Sequence, residues 1–266
     1  MKSESTQSIG DSFKLAGRVI VLTGGAGQYG RTLTAQLAET GATLVIASRN
    51  VEALRKIAAE ETARGYKVHA YALDQGDEGS IRALLKSVLA DHGRVDGLVN
   101  NAVTRPDKDL CDKDPAKAWE LSMRINATGF YMISRIFGDA MAERGSGSMV
   151  NIGSIYGMVG PSFWFYEGTP MGVGIGDYFY NKAGMINLTK FLSAVYGPKG
   201  VRVNCVSPGG FYNNQPQQFV DRYTKVTHLG RMAGPRDLGG PVVFLLSEAA
   251  SYVTGANLAV DGGFTA

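Results

Sequence analysis

The sequence predicts an α/β fold, a doubly wound parallel β-sheet of about seven strands with helices on both faces, a three-layer sandwich. Three observations predict it. Short apolar runs recur along the chain, several nearly unbroken, as strands covered on both faces are. Longer amphipathic stretches of helical period separate them, and such repeated alternation implies parallel strands joined by crossovers. A glycine-rich turn stands between the first apolar run and the first helix.

The strands are expected at 19–23, 43–47, 67–72, 97–100, 148–152, 201–206 and 257–260. The first helix carries Leu33 and Leu37 and stops at Gly41, a residue suited to a left-handed helix end. Further helices are expected near 51–64, 78–91, 115–143, 178–196 and 236–247. Residues 1–13 lack an apolar core and are expected to form a flexible tail. No linker or composition break follows, so 14–266 is expected to be one domain, with variable loops at 155–177 and 210–231.

Composition narrows the function. The net charge is +3 with no long basic run, which argues against nucleic acid or a membrane surface as partner. No apolar run approaches the ~20 residues of a membrane helix, and a cytoplasmic protein is expected. Cys111 and Cys205 have no CxxC spacing, and the three histidines lie far apart, so no metal site is expected.

In such a sheet a ligand sits beyond the carboxyl ends of the strands, so the loops there carry the search. The stretch TGGAGQYG at 23–30 opens the first helix. Gly24, Gly27, Gln28, Tyr29 and Gly30 would bring backbone N–H groups close to a pyrophosphate at a helix N-terminus. The alternative is a tight turn that merely needs glycine. With this loop the sheet is Rossmann-type, and the domain reads as a dinucleotide-binding catalytic domain.

The second strand closes on Ser48-Arg49-Asn50, where a carboxylate would hold the free 2′-hydroxyl of NAD. The chain has no acid there. A serine donor and an arginine fork suit a 2′-phosphate, so NADP is favoured over NAD, unless Arg49 is only a solvated charge. After the third strand, next to Leu73, Asp74 can accept from the adenine amino group or cap the next turn. After the fourth strand, Asn101, Ala102 and Val103 would lie against the cofactor ribose.

The fifth strand ends at Ser154, and the next helix carries Tyr178 and Lys182. Positions i and i+4 share a helix face, so phenol and ammonium point the same way. Tyrosine ionises near pH 10 and is a poor base at neutrality, but a neighbouring ammonium favours the phenolate. Tyr178 can then exchange a proton with a hydroxyl while hydride leaves or joins carbon, and Ser154 can donate to the same oxygen. The alternative is an ordinary surface pair. Tyr156 and Tyr180 are the rival tyrosines, and neither has a lysine four residues on.

With these motifs together the chain resembles the short-chain dehydrogenase/reductase (SDR) family over 14–266. The carrying residues are the glycine loop, Asn100-Asn101-Ala102, Asn126 in RINATGF, Ser154, Tyr178-x-x-x-Lys182, SPGG at 207–210 and YVTGANLAVDGG at 252–263. The resemblance implies an NAD(P)-dependent oxidoreductase that interconverts a secondary alcohol and a ketone, with the tetrad Asn126, Ser154, Tyr178 and Lys182. It implies that Asn126 helps hold a water in a proton relay with the lysine. It sets Tyr178 and Lys182 against the cofactor as well, with Pro208, Gly209 and then Phe211 beside the nicotinamide. It implies a homotetramer built through the helices near 115–143 and 178–196, with a dimer as the alternative.

The chain departs from the family pattern in several places. Gln28-Tyr29-Gly30 stands for Gly-x-Gly, Val103 replaces a glycine, and no threonine follows Pro208-Gly209, so Asn213 or Asn214 would take its part. Ser154 and Tyr178 lie 24 residues apart, farther than usual, and the extra segment is expected to build part of the substrate wall from Tyr156, Trp164 and Glu167. The segment 210–231 is expected to cover the small-molecule substrate like a lid. Its polar residues, among them Asn213, Asn214, Arg222 and His228, suit a sugar, polyol or sugar acid. The alternatives are a 3-oxoacyl-[acyl-carrier-protein] reductase and a non-enzymatic dinucleotide-binding regulatory protein.

Overall fold

The structure is a computed structural model and describes residues 8–172 and 174–266. Seven strands, β1 (Val19–Thr23), β2 (Thr43–Ser48), β3 (Lys67–Ala72), β4 (Gly97–Asn100), β5 (Gly147–Ile152), β6 (Val201–Pro208) and β7 (Asn257–Val260), form one sheet in the order β3-β2-β1-β4-β5-β6-β7. Every neighbouring pair is parallel. The chain winds outward from β1 to β3, then returns to β4 on the other side of β1. The carboxyl ends of β1 and β4 therefore part at a crevice.

Burial explains why the strands read as apolar runs. Every residue of β1 and β4 is buried, whereas the edge strands β3 and β7 are largely part-exposed. Helices α2 (Gln28–Ala38), α3 (Val51–Ala63) and α10 (Gly239–Leu246) cover one face through Leu33, Leu37, Leu54, Val242 and Leu245. Helices α4 (Glu78–His92), α7 (Phe130–Glu143) and α8 (Asp177–Tyr196) cover the other through Ile81, Ile133, Phe137, Leu192 and Tyr196. A third, smaller cluster of Ile155, Phe165, Phe219, Tyr223 and Met232 lies under the variable loops.

Local chemistry sets the boundaries. Asn50 caps α3 by accepting from the Ala53 amide at 3.0 Å, and Asp77 caps α4 by accepting from Gly79 and Ser80. The helix expected over 115–143 has three parts: α6 (Pro115–Ser122), a π-helical stretch Met123–Gly129, and α7. Gln75 Nε2 donates to the Ile125 carbonyl at 3.0 Å, so a group from outside the helix takes an acceptor in the widened turn.

The tail expected over 1–13 is corrected in its second half: Ile9–Ser12 forms one helical turn, α1, capped by Ser8, and the Phe13 ring lies 6.1 Å from that of Phe244. Residues 1–7 lie outside the described residues. Helix α5 (Lys108–Lys113) follows β4, and α9 (Gln217–Val226) crosses the segment expected as a lid. Among the described residues no helix is long and apolar enough to cross a membrane, and no group of three or more His, Cys, Asp or Glu could hold a metal.

Candidate active site

Tyr178 and Lys182 lie one turn apart on α8, at the carboxyl edge of β5. The Lys182 ammonium is 5.5 Å from the Tyr178 ring centre, and Lys182 is only 4% exposed. Its Nζ donates to the Ile152 carbonyl at 2.5 Å. Arg105, from the loop after β4, lies over the Tyr178 ring at 4.3 Å. Burial pushes the Tyr178 phenol up, but the Lys182 and Arg105 cations, with hydrogen bonds to Ser154 and Arg105, outweigh it and hold the phenol below its ordinary value. Ser154 Oγ accepts from the Tyr156 amide at 3.1 Å, so its proton is directed toward the Tyr178 oxygen and the cleft.

Asn126 lies in the π-helical stretch. Its side chain is clamped to Thr104, accepting from the amide at 2.9 Å and donating to the carbonyl at 2.8 Å. It also donates to Ser122 Oγ at 2.9 Å. The same hydroxyl accepts from Asn181 at 3.1 Å and donates to the buried Asp177 carboxylate at 2.5 Å. Ser122 thus joins Asn126 to the first turns of α8.

One cavity of about 500 Å³ opens over β1, β2 and β4. It is lined by Gly24, Gly27, Gln28, Tyr29, Gly30, Ser48, Arg49, Leu73, Asp74, Asn101, Ala102, Val103, Arg105 and Tyr178, among others. The glycines keep its floor low. Gly24 has φ +70°, and a Cβ there would meet Ala102 Cα at 2.9 Å; a Cβ on Gly30 would meet the Gly24 carbonyl at 2.0 Å. Thr23 Oγ1 accepts from the Asn101 and Ala102 amides, and Asn101 Nδ2 donates to the Thr23 carbonyl, which ties β1 to β4 at the crevice. The first turn of α2 offers free N–H groups there. These residues fit a dinucleotide. Tyr29 bounds the cavity: its hydroxyl donates to the Gly209 carbonyl at 3.0 Å, and its ring meets Phe211 edge-on at 4.8 Å.

A second cavity of about 540 Å³ shares Tyr178 and Arg105 with the first. Its walls include Lys108, Asp112, Tyr156, Tyr166, Met171, Asp177 and Phe179. The Tyr156 and Tyr166 hydroxyls bond each other at 2.7 Å. Burial, then the bond to Tyr166, pushes the Tyr156 phenol up, away from any role as a base. The two cavities meet at one phenol, so a dinucleotide in the first and a small molecule in the second would both reach Tyr178.

A family model described as enoyl-(acyl carrier protein) reductase matches residues 28–265. The chain is 35% identical over 260 residues to 2,5-dichloro-2,5-cyclohexadiene-1,4-diol dehydrogenase of Sphingobium indicum, covering 95% of this chain and 98% of that one. The chain belongs to the short-chain dehydrogenase/reductase family. It is also 34% identical over 263 residues to cis-4-hydroxycyclohexanecarboxylate dehydrogenase of Sinomonas cyclohexanicum, covering 97% of this SDR and all of that protein. Its fold is similar to a gluconate 5-dehydrogenase from Burkholderia cenocepacia in complex with NADP and tartrate, with TM-score 0.85, 30% identity and coverage of 96% and 98%. The chain is an NAD(P)-dependent oxidoreductase acting on CH–OH groups.

Several residues of this SDR lie elsewhere than the sequence suggests. Asn50 is spent on capping α3. Asp74 lies where expected, capping the turn that precedes α4 by accepting from the Gly76 amide at 2.9 Å and lining the first cavity, while Asp77 caps the helix itself. Lys182 stands behind Tyr178 and does not line the cavity. Pro208 and Gly209 are buried at the end of β6, and Gly209 faces a separate cavity of about 550 Å³ that also holds His228. Phe211 packs behind Tyr29.

The substrate residues need the largest correction. Trp164, Glu167, Asn213 and Asn214 do not line the second cavity, while Tyr156 does. Arg222 of α9 donates to the Trp164 carbonyl at 2.7 Å and the Glu167 carbonyl at 2.6 Å, with its guanidinium 5.5 Å from the Trp164 ring centre. Those residues therefore bind the insertion to the α9 segment. The wall comes instead from Tyr166 and, later in the insertion, from Pro170 and Met171. The sequence reading also missed Arg105. The signal was its place in a loop at the carboxyl edge, two residues beyond Val103.

Proposed function

We propose that this SDR oxidises a secondary alcohol of a polar hydroxylated molecule, a sugar, polyol or sugar acid, and favours NADP. The observation that carries the proposal is the position of Tyr178, whose phenol belongs to the walls of both cavities. A dinucleotide bound over Gly24–Gly30 supplies the hydride acceptor for the oxidation. Tyr178 takes the proton of the carbinol oxygen, helped by a phenol held below its ordinary value. Ser154 donates to that oxygen and orients it. Lys182 holds its charge beside the phenol without meeting the substrate, anchored on Ile152. Asn126, fixed by Thr104 and Ser122, keeps the widened turn of the helix against the site.

Arg49 is exposed at the rim of the first cavity and joins no ion pair among the described residues, which supports a contact with a 2′-phosphate. The acyl-carrier alternative needs several free cations at the mouth, but of the two cations lining the second cavity Lys108 is paired with Asp112, which leaves Arg105 alone. A homotetramer is supported by exposed aromatic side chains on α8: Tyr180 is 61% exposed and Phe191 53%. Sedimentation velocity tests that assembly.

The test of function is steady-state oxidation of a panel of polyols, cyclic alcohols and hydroxy acids, followed by formation of reduced cofactor with NADP and with NAD. Turnover in the wild type and loss of roughly 10²–10⁴ in kcat in Tyr178→Phe, with cofactor affinity kept, is the expected result. A fully active Tyr178→Phe enzyme removes the proposal.

A further inference from the structure

We propose that Arg105 is the anchor for a carboxylate on the substrate, so that the molecule oxidised is a hydroxy acid whose carboxylate lies a few bonds from the reacting carbinol. The inference rests on the dehydrogenase reading above and narrows its substrate.

Four charged side chains line the second cavity: Arg105, Lys108, Asp112 and Asp177. Three already have partners within the protein. Lys108 pairs with Asp112, and Asp177 accepts from Ser122. Arg105 and Asp177 join none of the ion pairs found among the described residues; the Asp177 carboxylate is buried and turned to Ser122, so Arg105 is the one cation of the cavity left without a carboxylate partner. The nearby neutral polar groups are drawn to each other, since the Tyr156 and Tyr166 hydroxyls share a hydrogen bond at 2.7 Å.

Position makes this cation selective. The guanidinium carbon lies over the ring of Tyr178, 4.3 Å from its centre, which places the cation beside the base. Its remaining N–H groups present a fork of the shape a carboxylate accepts. A molecule with its carbinol at the Tyr178 hydroxyl therefore has its next polar group beside Arg105. A neutral polyol leaves the cation solvated there. A hydroxy acid satisfies it and gains a charge-assisted contact.

The test uses the NADP-bound protein with tartrate as a simple hydroxy-acid probe, titrated calorimetrically, in wild type, Arg105→Gln and Arg105→Lys. Arg105→Gln is expected to weaken tartrate by about 10- to 100-fold, the range for a hydrogen-bonded charge. Arg105→Lys is expected to fall between, since it keeps the charge and loses the fork. In kinetics, the kcat/KM of cis-4-hydroxycyclohexanecarboxylate relative to its carboxamide is expected to drop by a similar factor in Arg105→Gln. Taking the ratio cancels any effect of the lost cation on Tyr178, which acts on both substrates alike.

The proposal requires both results. Equal tartrate affinity in all three proteins, no binding by the wild type, or an unchanged acid-to-amide ratio overturns it. So does a loss of NADP affinity in Arg105→Gln as large as the loss for tartrate, which would assign the guanidinium to the cofactor. Each of these leaves the dehydrogenase reading intact, whereas an active Tyr178→Phe enzyme defeats that reading and leaves the tartrate titration standing.

Discussion

The Lys182 ammonium lies 5.5 Å from the centre of the Tyr178 ring, yet its short hydrogen bond runs to the carbonyl of Ile152. The backbone of β5 thus fixes the cation, and the cation acts on the phenol as a neighbouring charge. A buried ammonium in this position needs such an acceptor, because an unpaired charge out of water is costly.

Lys182→Met tests that relationship by pH. A cation stabilises the phenolate, so its removal raises the phenol's pKa and leaves less of it ionised at a given pH. In the wild type, alcohol oxidation rises with pH and levels off below the ordinary tyrosine value of 10.0, because the Tyr178 phenol is held low. In Lys182→Met the inflection moves upward, and the rate at neutral pH falls by roughly 10²–10⁴. The inflection is read from kcat/KM against pH. An unmoved inflection would detach Lys182 from the phenol.

Ser122→Ala tests the link between Asn126 and α8. One hydroxyl donates to Asp177 and accepts from Asn126 and Asn181. Its removal leaves a buried carboxylate without that donor and the Asn181 amide without its acceptor, while Asn126 keeps only its bond to the Thr104 carbonyl. The expected cost is about 2–3 kcal/mol in urea unfolding, larger than for an isolated buried serine. A loss of kcat beyond any loss of cofactor affinity should accompany it. A cost near zero would mean that water replaces the hydroxyl.

Arg49→Ala tests cofactor choice. The side chain is exposed at the rim and joins no ion pair among the described residues, so its removal should not affect folding. If it meets a 2′-phosphate, kcat/KM with NADP falls by about tenfold, the value of one charge-assisted contact, and kcat/KM with NAD stays level. Equal changes with the two cofactors would show that Arg49 is a solvated charge only.

These sites differ in how far the chain itself revealed them. Tyr178 and Lys182 were legible because their relation is local: four residues on one helix fix it. The glycine loop was legible for the same reason, as strand, turn and helix follow one another. The strands were legible because β1, β4 and β5 are buried on both faces and admit few polar residues. Arg105 was not, because nothing in its neighbours says that the loop after β4 folds over a ring from α8. Trp164 and Glu167 were misplaced for the same reason. Their surroundings are set by α9, more than fifty residues on, through an arginine whose partners are backbone carbonyls of no particular residue type. Asn50 illustrates a different limit, since an asparagine beside a helix start serves as a cap as readily as a ligand.

Arg222→Ala tests whether the insertion is a substrate wall held from behind. Arg222 ties Trp164 and Glu167 to α9, and the segment that follows supplies Pro170 and Met171 to the second cavity. Loss of two hydrogen bonds from a partly exposed cation should cost roughly 1–2 kcal/mol of stability. The functional effect should be more selective. With the insertion loosened, the substrate meets a wall that must first be ordered, so KM for the alcohol rises. The cofactor cavity shares none of these residues, so NADP affinity stays at the wild-type value. Both carbonyls accept from one nitrogen, Nη1, so Arg222→Lys keeps a charged donor but loses the planar group beside the Trp164 ring, and should fall between wild type and alanine. A rise in KM for NADP equal to that for the alcohol would show instead that α9 and the insertion close over both ligands together.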